Sequence, residues 1–209
     1  MDPGYRAANP VPLGLYAFGW TTILLQGATT GMTEPSTTSV TYCFALFFGG
    51  LVQLLAGMWE FKRNAVFGAT AFSSYGGFWL SYGIYGILTE AGVFATPAPE
   101  GLQMMLSLWG ILTFILFICT IALSVALQML FLFLSITFFL LAGGVLNHTC
   151  NQVGGGFGIF VGLVAWYIAS AELINHLYRR TVLPLGVMRL ARLEPELRDP
   201  YYDHGDEMI

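Results

Sequence analysis

One apolar stretch limits what this chain can fold into more than any other feature. Residues 102–146 contain no Asp, Glu, Lys or Arg. A helix that crosses the hydrocarbon core of a bilayer needs about 20 apolar residues, so the stretch is long enough for two such helices. We predict two membrane-spanning helices here, separated by a turn at residues 122–126.

The composition of the whole chain agrees with a membrane location. Of its 209 residues, 56% are hydrophobic and 10% are charged, and the mean hydropathy is +0.69. A typical soluble domain has about 25% charged residues, and a soluble protein of this size could not cover so much apolar surface. A soluble enzyme and a disordered chain are therefore excluded. The net charge of −4, with eight Lys and Arg, also argues against nucleic acid as a partner.

Four further apolar blocks predict four more helices. They cover residues 13–30, 41–59, 66–88 and 157–177. The blocks are long and do not alternate with polar residues, so they favour helices over the strands of a membrane barrel. The predicted fold class is an all-α integral membrane protein with six transmembrane helices. Small residues spaced as GxxxGxxxG at Gly154, Gly158 and Gly162 predict close helix packing, which leaves room only for a narrow pore.

The positive charges predict the orientation. With six spans, every basic residue falls on the side that holds both termini: Arg6, Lys62, Arg63, Arg179, Arg180, Arg189, Arg192 and Arg198. The other side holds Glu34, Glu90 and Glu100. By the positive-inside rule both termini are cytoplasmic. We therefore expect a cytoplasmic segment at residues 1–12, a transmembrane domain at 13–178 and a cytoplasmic tail at 179–209.

The start of the first helix has a distinctive sequence, NPVPLGL. Asn9 is a favoured N-cap residue, which would place Pro10 and Pro12 in the first turn, where a missing N–H costs little. Free backbone N–H groups and the positive helix end could then receive a carboxylate. The alternative interpretation is an ordinary capped helix start at the membrane surface.

Several polar side chains lie inside the predicted spans. They could bond helix to helix, or replace the hydration shell of a small anion, and they are Thr21, Thr22, Gln26, Gln53, Thr70, Ser73, Ser74, Gln128 and Ser135. Phe18 shares a helix face with Thr21 and Thr22.

Charged and metal-ligating residues are few within the spans. Glu172 is the one acid well inside a span, and intramembrane carboxylates are candidates for carrying protons; an ion pair near the membrane surface is the alternative role. Glu60, with its basic neighbours, is interpreted as part of a solvated loop. His148 and Cys150, in a predicted outer loop, are too few to form a metal site. No enzyme motif is found, so we expect neither catalysis nor a cofactor.

Ordered motifs along the chain resemble the acetate uptake transporter family, which includes bacterial succinate–acetate permeases and fungal ammonia–acetate exporters. The resemblance begins at NPVPLGL and covers residues 9–186. It continues through Gly49-Gly50, Gln53, Ala56-Gly57, Glu60-Phe61-Lys62, Phe67-Gly68, Thr70-Ala71-Phe72, Ser74-Tyr75-Gly76 and Phe78-Trp79, and then through Leu108-Trp109-Gly110, Leu127-Gln128, Glu172 and Arg180-Thr181-Val182-Leu183-Pro184.

The resemblance implies a homo-hexamer in the plasma membrane, in which each six-helix subunit has its own pore for acetate and related short carboxylates. It also implies a hydrophobic constriction formed by Phe18, Tyr75 and Leu134. On this basis we predict proton-coupled carboxylate transport, succinate included, with Glu172 as the candidate proton carrier. Asn9, Pro10, Thr21, Thr22, Gln53 and Ser74 are the predicted substrate-pathway residues. A passive acetate-selective anion channel and a pore for neutral ammonia or water are the alternatives.

Overall fold

The computed structural model describes residues 8–188, and helices account for most of them. The elements are α1 (Val11–Thr29), α2 (Thr37–Leu46), a π-helical segment (Phe47–Val52), α3 (Gln53–Lys62), α4 (Val66–Glu90), α5 (Pro99–Thr120), α6 (Val125–Gly144) and α7 (His148–Tyr178). No β-strand occurs between residues 8 and 188, where an isolated bridge pairs Ser124 with Val187. The all-α prediction is confirmed for this part of the chain.

The elements α2, π and α3 follow one another without a break and form one rod, Thr37–Lys62. With it, the described residues form six helical rods. The long apolar stretch divides after Thr120, and α6 begins at Val125. Ser124 caps α6, because its side chain accepts a hydrogen bond of 3.3 Å from the N–H of Leu127. The predicted position of this turn is therefore confirmed.

The start of the last helix differs from the prediction. The helix α7 begins at His148 rather than at residue 157. The side chain of Asn147 accepts a hydrogen bond from the N–H of Cys150 at 3.0 Å and caps the helix. His148 and Cys150 therefore lie in the first helical turn, and the prediction of an outer loop is wrong. The sequence was misleading because polar residues and three consecutive glycines precede the apolar run.

Four of the rods are long and apolar enough to cross a membrane. They are Thr37–Lys62, Pro99–Thr120, Val125–Gly144 and His148–Tyr178. The helices α1 and α4 fall outside this set, and they carry six of the polar residues noted in the sequence: Thr21, Thr22, Gln26, Thr70, Ser73 and Ser74. Large apolar side chains such as Ile111 and Leu163 are exposed on the outside of the bundle.

The helix α1 packs closely against α7. A Cβ atom added at Gly158 would lie 2.6 Å from Cγ of Gln26, and one added at Gly162 would lie 2.5 Å from Cγ1 of Ile23. A larger residue at either position would push the two helices apart. The packing role predicted for these glycines is confirmed.

Candidate functional site

The first turn of α1 is capped differently from the prediction. The helix begins at Val11, with Pro10 as the N-cap residue and Pro12 in the first turn. The side chain of Asn9 lies one position earlier, and its Oδ1 accepts hydrogen bonds from the N–H of Val11 at 3.1 Å and from Nη1 of Arg63 at 2.9 Å. The prediction that Asn9 is the N-cap residue is therefore wrong. Asn9 instead links the start of α1 to the end of α3.

The sequence-based interpretation of Glu60 as a solvated residue is also wrong. Its side chain is 1% exposed and pairs with Nη1 of Arg63 at 2.7 Å. Glu60 lies against Gly68 of α4, at a place where any Cβ would meet the carboxylate. Burial of a carboxylate requires a partner, and Arg63 provides one. The position of Glu60 beside apolar residues of other helices could not be predicted from the sequence.

Two small cavities lie between the helices. The first has a volume of about 40 Å³ and is lined by Val11, Leu15, Glu60, Phe67, Gly68, Ala71, Phe72, Leu123, Leu127 and Phe131. The second has a volume of about 20 Å³ and is lined by Leu15, Phe18, Gln53, Ala71, Phe72, Tyr75, Leu130, Phe131 and Leu134. Leu15, Ala71, Phe72 and Phe131 line both, so the two cavities are neighbours. The second has room for about one water molecule.

The three residues predicted to form a constriction line the second cavity together. Phe18, Tyr75 and Leu134 come from α1, α4 and α6, and each is at most 4% exposed. The ring centroids of Phe18 and Tyr75 are 5.6 Å apart. Phe131, which the sequence analysis did not select, lies 6.2 Å from the ring of Tyr75. Apolar groups therefore dominate the walls of this cavity.

The hydroxyl group of Tyr75 is held by the neighbouring helix α5. Its oxygen lies 2.8 Å from Oγ1 of Thr113, and Thr113 donates its own proton to the carbonyl of Trp109 at 2.7 Å. The Tyr75 hydroxyl must therefore be the donor to Thr113. The polar end of Tyr75 is thus bonded within the protein.

Gln53 is the polar residue in the wall of the second cavity. Its side chain is 1% exposed, and within residues 8–188 its Oε1 has no hydrogen-bond partner. Gln53 is the first residue after the π-helical segment. A buried polar atom without a partner is unusual and indicates a place where a ligand or water can bind.

The other predicted pathway residues line neither cavity. Thr21 donates its hydroxyl proton to the carbonyl of Ala17 at 3.0 Å, and Thr22 donates to that of Phe18 at 2.7 Å. Ser74 is partly buried beside Tyr75. Because Thr21 and Thr22 each donate their hydroxyl proton within α1, their hydroxyl oxygens can only accept further hydrogen bonds. A role for Thr21, Thr22 and Ser74 in substrate binding stays a prediction.

Glu172 lies on α7, is partly buried and takes part in a polar interaction. It is absent from the walls of both cavities. Its proposed role as proton carrier stays a prediction. Within the part of the chain that the structure describes, no group of three or more His, Cys, Asp or Glu side chains could hold a metal ion.

Comparison with known proteins relates this arrangement to one family. Residues 2–189 match the model of the GPR1/FUN34/yaaH family. The chain is 37% identical over 183 residues to the succinate-acetate/proton symporter SatP of Escherichia coli K12, covering 87% of this chain and 96% of that protein. It is 38% identical over 200 residues to acetate permease A of Emericella nidulans, covering 87% of this chain and 66% of the relative.

Two further similarities involve a yeast relative and a solved structure. The chain is 39% identical over 181 residues to ammonia transport outward protein 2 of Saccharomyces cerevisiae, covering 81% of this chain and 62% of that protein. The solved structure of the bacterial acetate channel SatP superposes with a TM-score of 0.83 at 37% identity, covering 87% of this chain and all of that one. The family match covers nearly the whole chain, and the chain belongs to the GPR1/FUN34/yaaH family.

Proposed function

We propose that this protein transports acetate and related short carboxylates across a membrane. The observation that carries the proposal is the meeting of Phe18, Tyr75 and Leu134, from three different helices, around one small cavity. The relatives named as an acetate permease and a succinate-acetate/proton symporter support the substrate class. A transport role also fits a helical membrane protein better than catalysis does.

The constriction would select substrates by the cost of removing water. A hydrated inorganic ion loses favourable hydration on entering an apolar passage. The methyl end of acetate has little hydration to lose. A protonated carboxyl group could donate a hydrogen bond to Oε1 of Gln53, which lacks a partner among the described residues. The passage is narrow at this level, where the second cavity has a volume of about 20 Å³.

The assembly and orientation belong to the same proposal. All six rods would cross the membrane around a narrow pore, both termini would be cytoplasmic, and subunits would form a homo-hexamer in the plasma membrane. The distribution of the eight basic residues supports the orientation, and the exposed apolar side chains support contact with lipid or with other subunits. The cavity next to Glu60 would then open towards the cytoplasm.

Transport would be coupled to protons. Acetate carries a negative charge at neutral pH, and uptake against a negative-inside potential of 100 mV costs about 2.3 kcal/mol per charge. A co-transported proton removes this cost. Glu172 is the carboxylate proposed from the sequence, and Glu60 is the carboxylate that the structure places on a cavity wall.

A passive acetate channel is the second candidate, because the superposable solved structure is described as an acetate channel. A pore for neutral ammonia is the third, because one relative is named as an ammonia transport protein.

The test uses the purified full-length protein in lipid vesicles. Uptake of radiolabelled acetate is measured with and without an imposed pH gradient, relative to protein-free vesicles that report the leak of acetic acid. We expect protein-dependent uptake that an inward proton gradient accelerates. Uptake that ignores the pH gradient would identify a passive channel. Permeation of ammonia without acetate would identify a neutral pore and contradict the proposal.

A further inference from the structure

We propose that Glu60 exchanges a proton with the substrate carboxylate, so that the neutral acid rather than the anion crosses the constriction. This inference rests on the proposed transport function and assigns its proton step to one residue. Three observations carry it: the position of Glu60, its pairing with Arg63, and the hydrogen bonds of the constriction.

The first observation is the place of Glu60 in the cavity wall. Among the described residues that line the larger cavity, Glu60 is the one ionisable side chain, and the other nine are apolar or glycine. This cavity adjoins the smaller one at the constriction through shared wall residues. A carboxylate substrate that approaches the constriction from this side would therefore come close to Glu60.

The second observation is the ion pair between Glu60 and Arg63. Arg63 is the cation recorded against it, at 2.7 Å. The elements packed around Glu60 contribute uncharged groups to the cavity, namely Val11 from α1, Gly68 from α4 and Leu127 from α6. The ammonium group of Lys62 lies over the ring of Trp59 at 4.8 Å. A bound acetate anion would bring a second carboxylate close to Glu60 in a cavity whose other wall residues are uncharged.

A proton on Glu60 removes the repulsion between its carboxylate and that of the substrate. Two carboxylates in one poorly hydrated site favour protonation of one of them, so substrate binding and proton binding reinforce each other. In the exchange step the O–H bond of the Glu60 carboxyl breaks and an O–H bond forms on the substrate carboxylate. Glu60 is left as a carboxylate that pairs with Arg63. One proton and one acetate then move together, with no net charge.

The third observation concerns the hydrogen-bonding groups of Tyr75 and Gln53 at the constriction. They favour binding of a protonated carboxylic acid over binding of a carboxylate anion. Tyr75 already donates its proton to Thr113. The atom of Gln53 without a partner is an oxygen, as its amide is oriented in this structure. An oxygen accepts a hydrogen bond from the O–H of a carboxylic acid, whereas it repels a carboxylate. The apolar walls also favour the uncharged form.

The experiment separates proton-driven from voltage-driven uptake in vesicles that contain the full-length protein. Radiolabelled acetate uptake is measured under an inward proton gradient and, separately, under an inside-positive potassium diffusion potential set with valinomycin. We expect wild-type uptake to respond to the proton gradient and to ignore the potential, because the acid carries no charge. Glu60→Gln should reduce proton-driven uptake by roughly 100-fold, a usual contribution of a positioned proton donor. Any uptake that remains should follow the potential.

Two variants keep the result interpretable. Glu100→Gln removes an exposed carboxylate in the first turn of α5 and should behave like the wild type. If Glu60→Gln does not elute as folded protein because Arg63 is left unpaired, the double variant Glu60→Gln/Arg63→Gln removes both charges and should show the same loss of proton coupling.

Three results would overturn the inference: wild-type uptake driven by the potential, Glu60→Gln uptake that stays proton-driven and insensitive to the potential, or loss of coupling in Glu172→Gln but not in Glu60→Gln. A wild-type protein that moves no acetate under any gradient would contradict the proposed transport function. This outcome is distinguishable from the three that contradict only the role of Glu60.

Discussion

Tyr75 shows how a polar side chain can form part of the wall of a largely apolar cavity. Its ring lines the smaller cavity with Phe18 and Leu134, while its hydroxyl is bonded to Thr113 on α5. Thr113 is 0% exposed and directs its own proton to the backbone. We infer that Thr113 is a positioning residue, which fixes the ring of Tyr75 and therefore the width of the passage.

Replacing Thr113 by Val should free the Tyr75 ring. The change keeps the side-chain shape but leaves the buried hydroxyl of Tyr75 without an acceptor, at a cost of about 1–3 kcal/mol. We expect a lower thermal unfolding temperature and a smaller preference for acetate over lactate, measured by competition in vesicles. Thr113→Ser keeps the hydroxyl and should restore the preference. Wild-type selectivity in Thr113→Val would show that Thr113 does not position Tyr75.

Replacing Phe18 by Ala should directly widen the proposed constriction. Loss of a buried Phe side chain leaves a cavity and costs about 3–5 kcal/mol of stability. We expect uptake of the larger acids lactate or succinate to rise relative to acetate, and Leu134→Ala to change it in the same direction. Phe114→Ala removes a ring that is 47% exposed on α5 and should leave the ratio unchanged. Unaltered selectivity in both cavity variants would contradict the assigned constriction.

At the level of elements, the π-helical segment determines where Gln53 points. Its wider turns change the angular position of every residue that follows, compared with an uninterrupted α-helix. Gly49 lies in this segment against α1, where a Cβ atom would come within 2.5 Å of Oγ1 of Thr21. The π segment and α1 can therefore approach closely only because residue 49 is glycine.

The variant Gly49→Ala should disturb this contact. We expect a loss of about 1–3 kcal/mol in stability from overpacking, together with slower acetate uptake as Gln53 moves. Thermal unfolding in detergent and vesicle uptake measure the two effects. Gly77→Ala is the matched control, because a Cβ atom at Gly77 meets nothing within 4 Å and Ala has the higher helix propensity. Equal stability of the two variants would refute the close-contact argument.

At the scale of the whole molecule, this is a multi-pass helical membrane protein, and its charge distribution predicts its orientation. Lys62 and Arg63 lie at the end of α3, whereas the connection from α4 to α5 contains no Lys or Arg. With six crossings, both termini lie on the same side of the membrane as the connection from α3 to α4, where Lys62 and Arg63 lie. The positive-inside rule predicts that this side faces the cytoplasm.

Cysteine labelling can test the orientation. In a variant whose Cys43, Cys119 and Cys150 are replaced by Ser, Val93→Cys should react with a membrane-impermeant maleimide in intact cells. Lys62→Cys should react only after the membrane is permeabilised. Val93 is 64% exposed and lies between α4 and α5. Labelling of Lys62→Cys in intact cells would invert the proposed topology.

The features that the sequence alone determined are those that depend on neighbouring residues along the chain. Apolar length predicted membrane helices, and the position of the turn between α5 and α6 followed from the length of residues 102–146. The ordered motifs identified the family, which the match over residues 2–189 confirmed. Each of these properties is local, so no knowledge of packing was needed.

The tertiary structure alone decided which side chains meet and which are buried. Glu60 looked solvated beside two basic residues, yet packing against α1, α4 and α6 encloses it. The start of α7 and the true role of Asn9 likewise depend on side-chain caps and cross-helix bonds that hydropathy does not report. The common reason is that the face a helix presents to the interior depends on its partners, and a π turn such as the one before Gln53 shifts that face without any change in hydrophobic pattern.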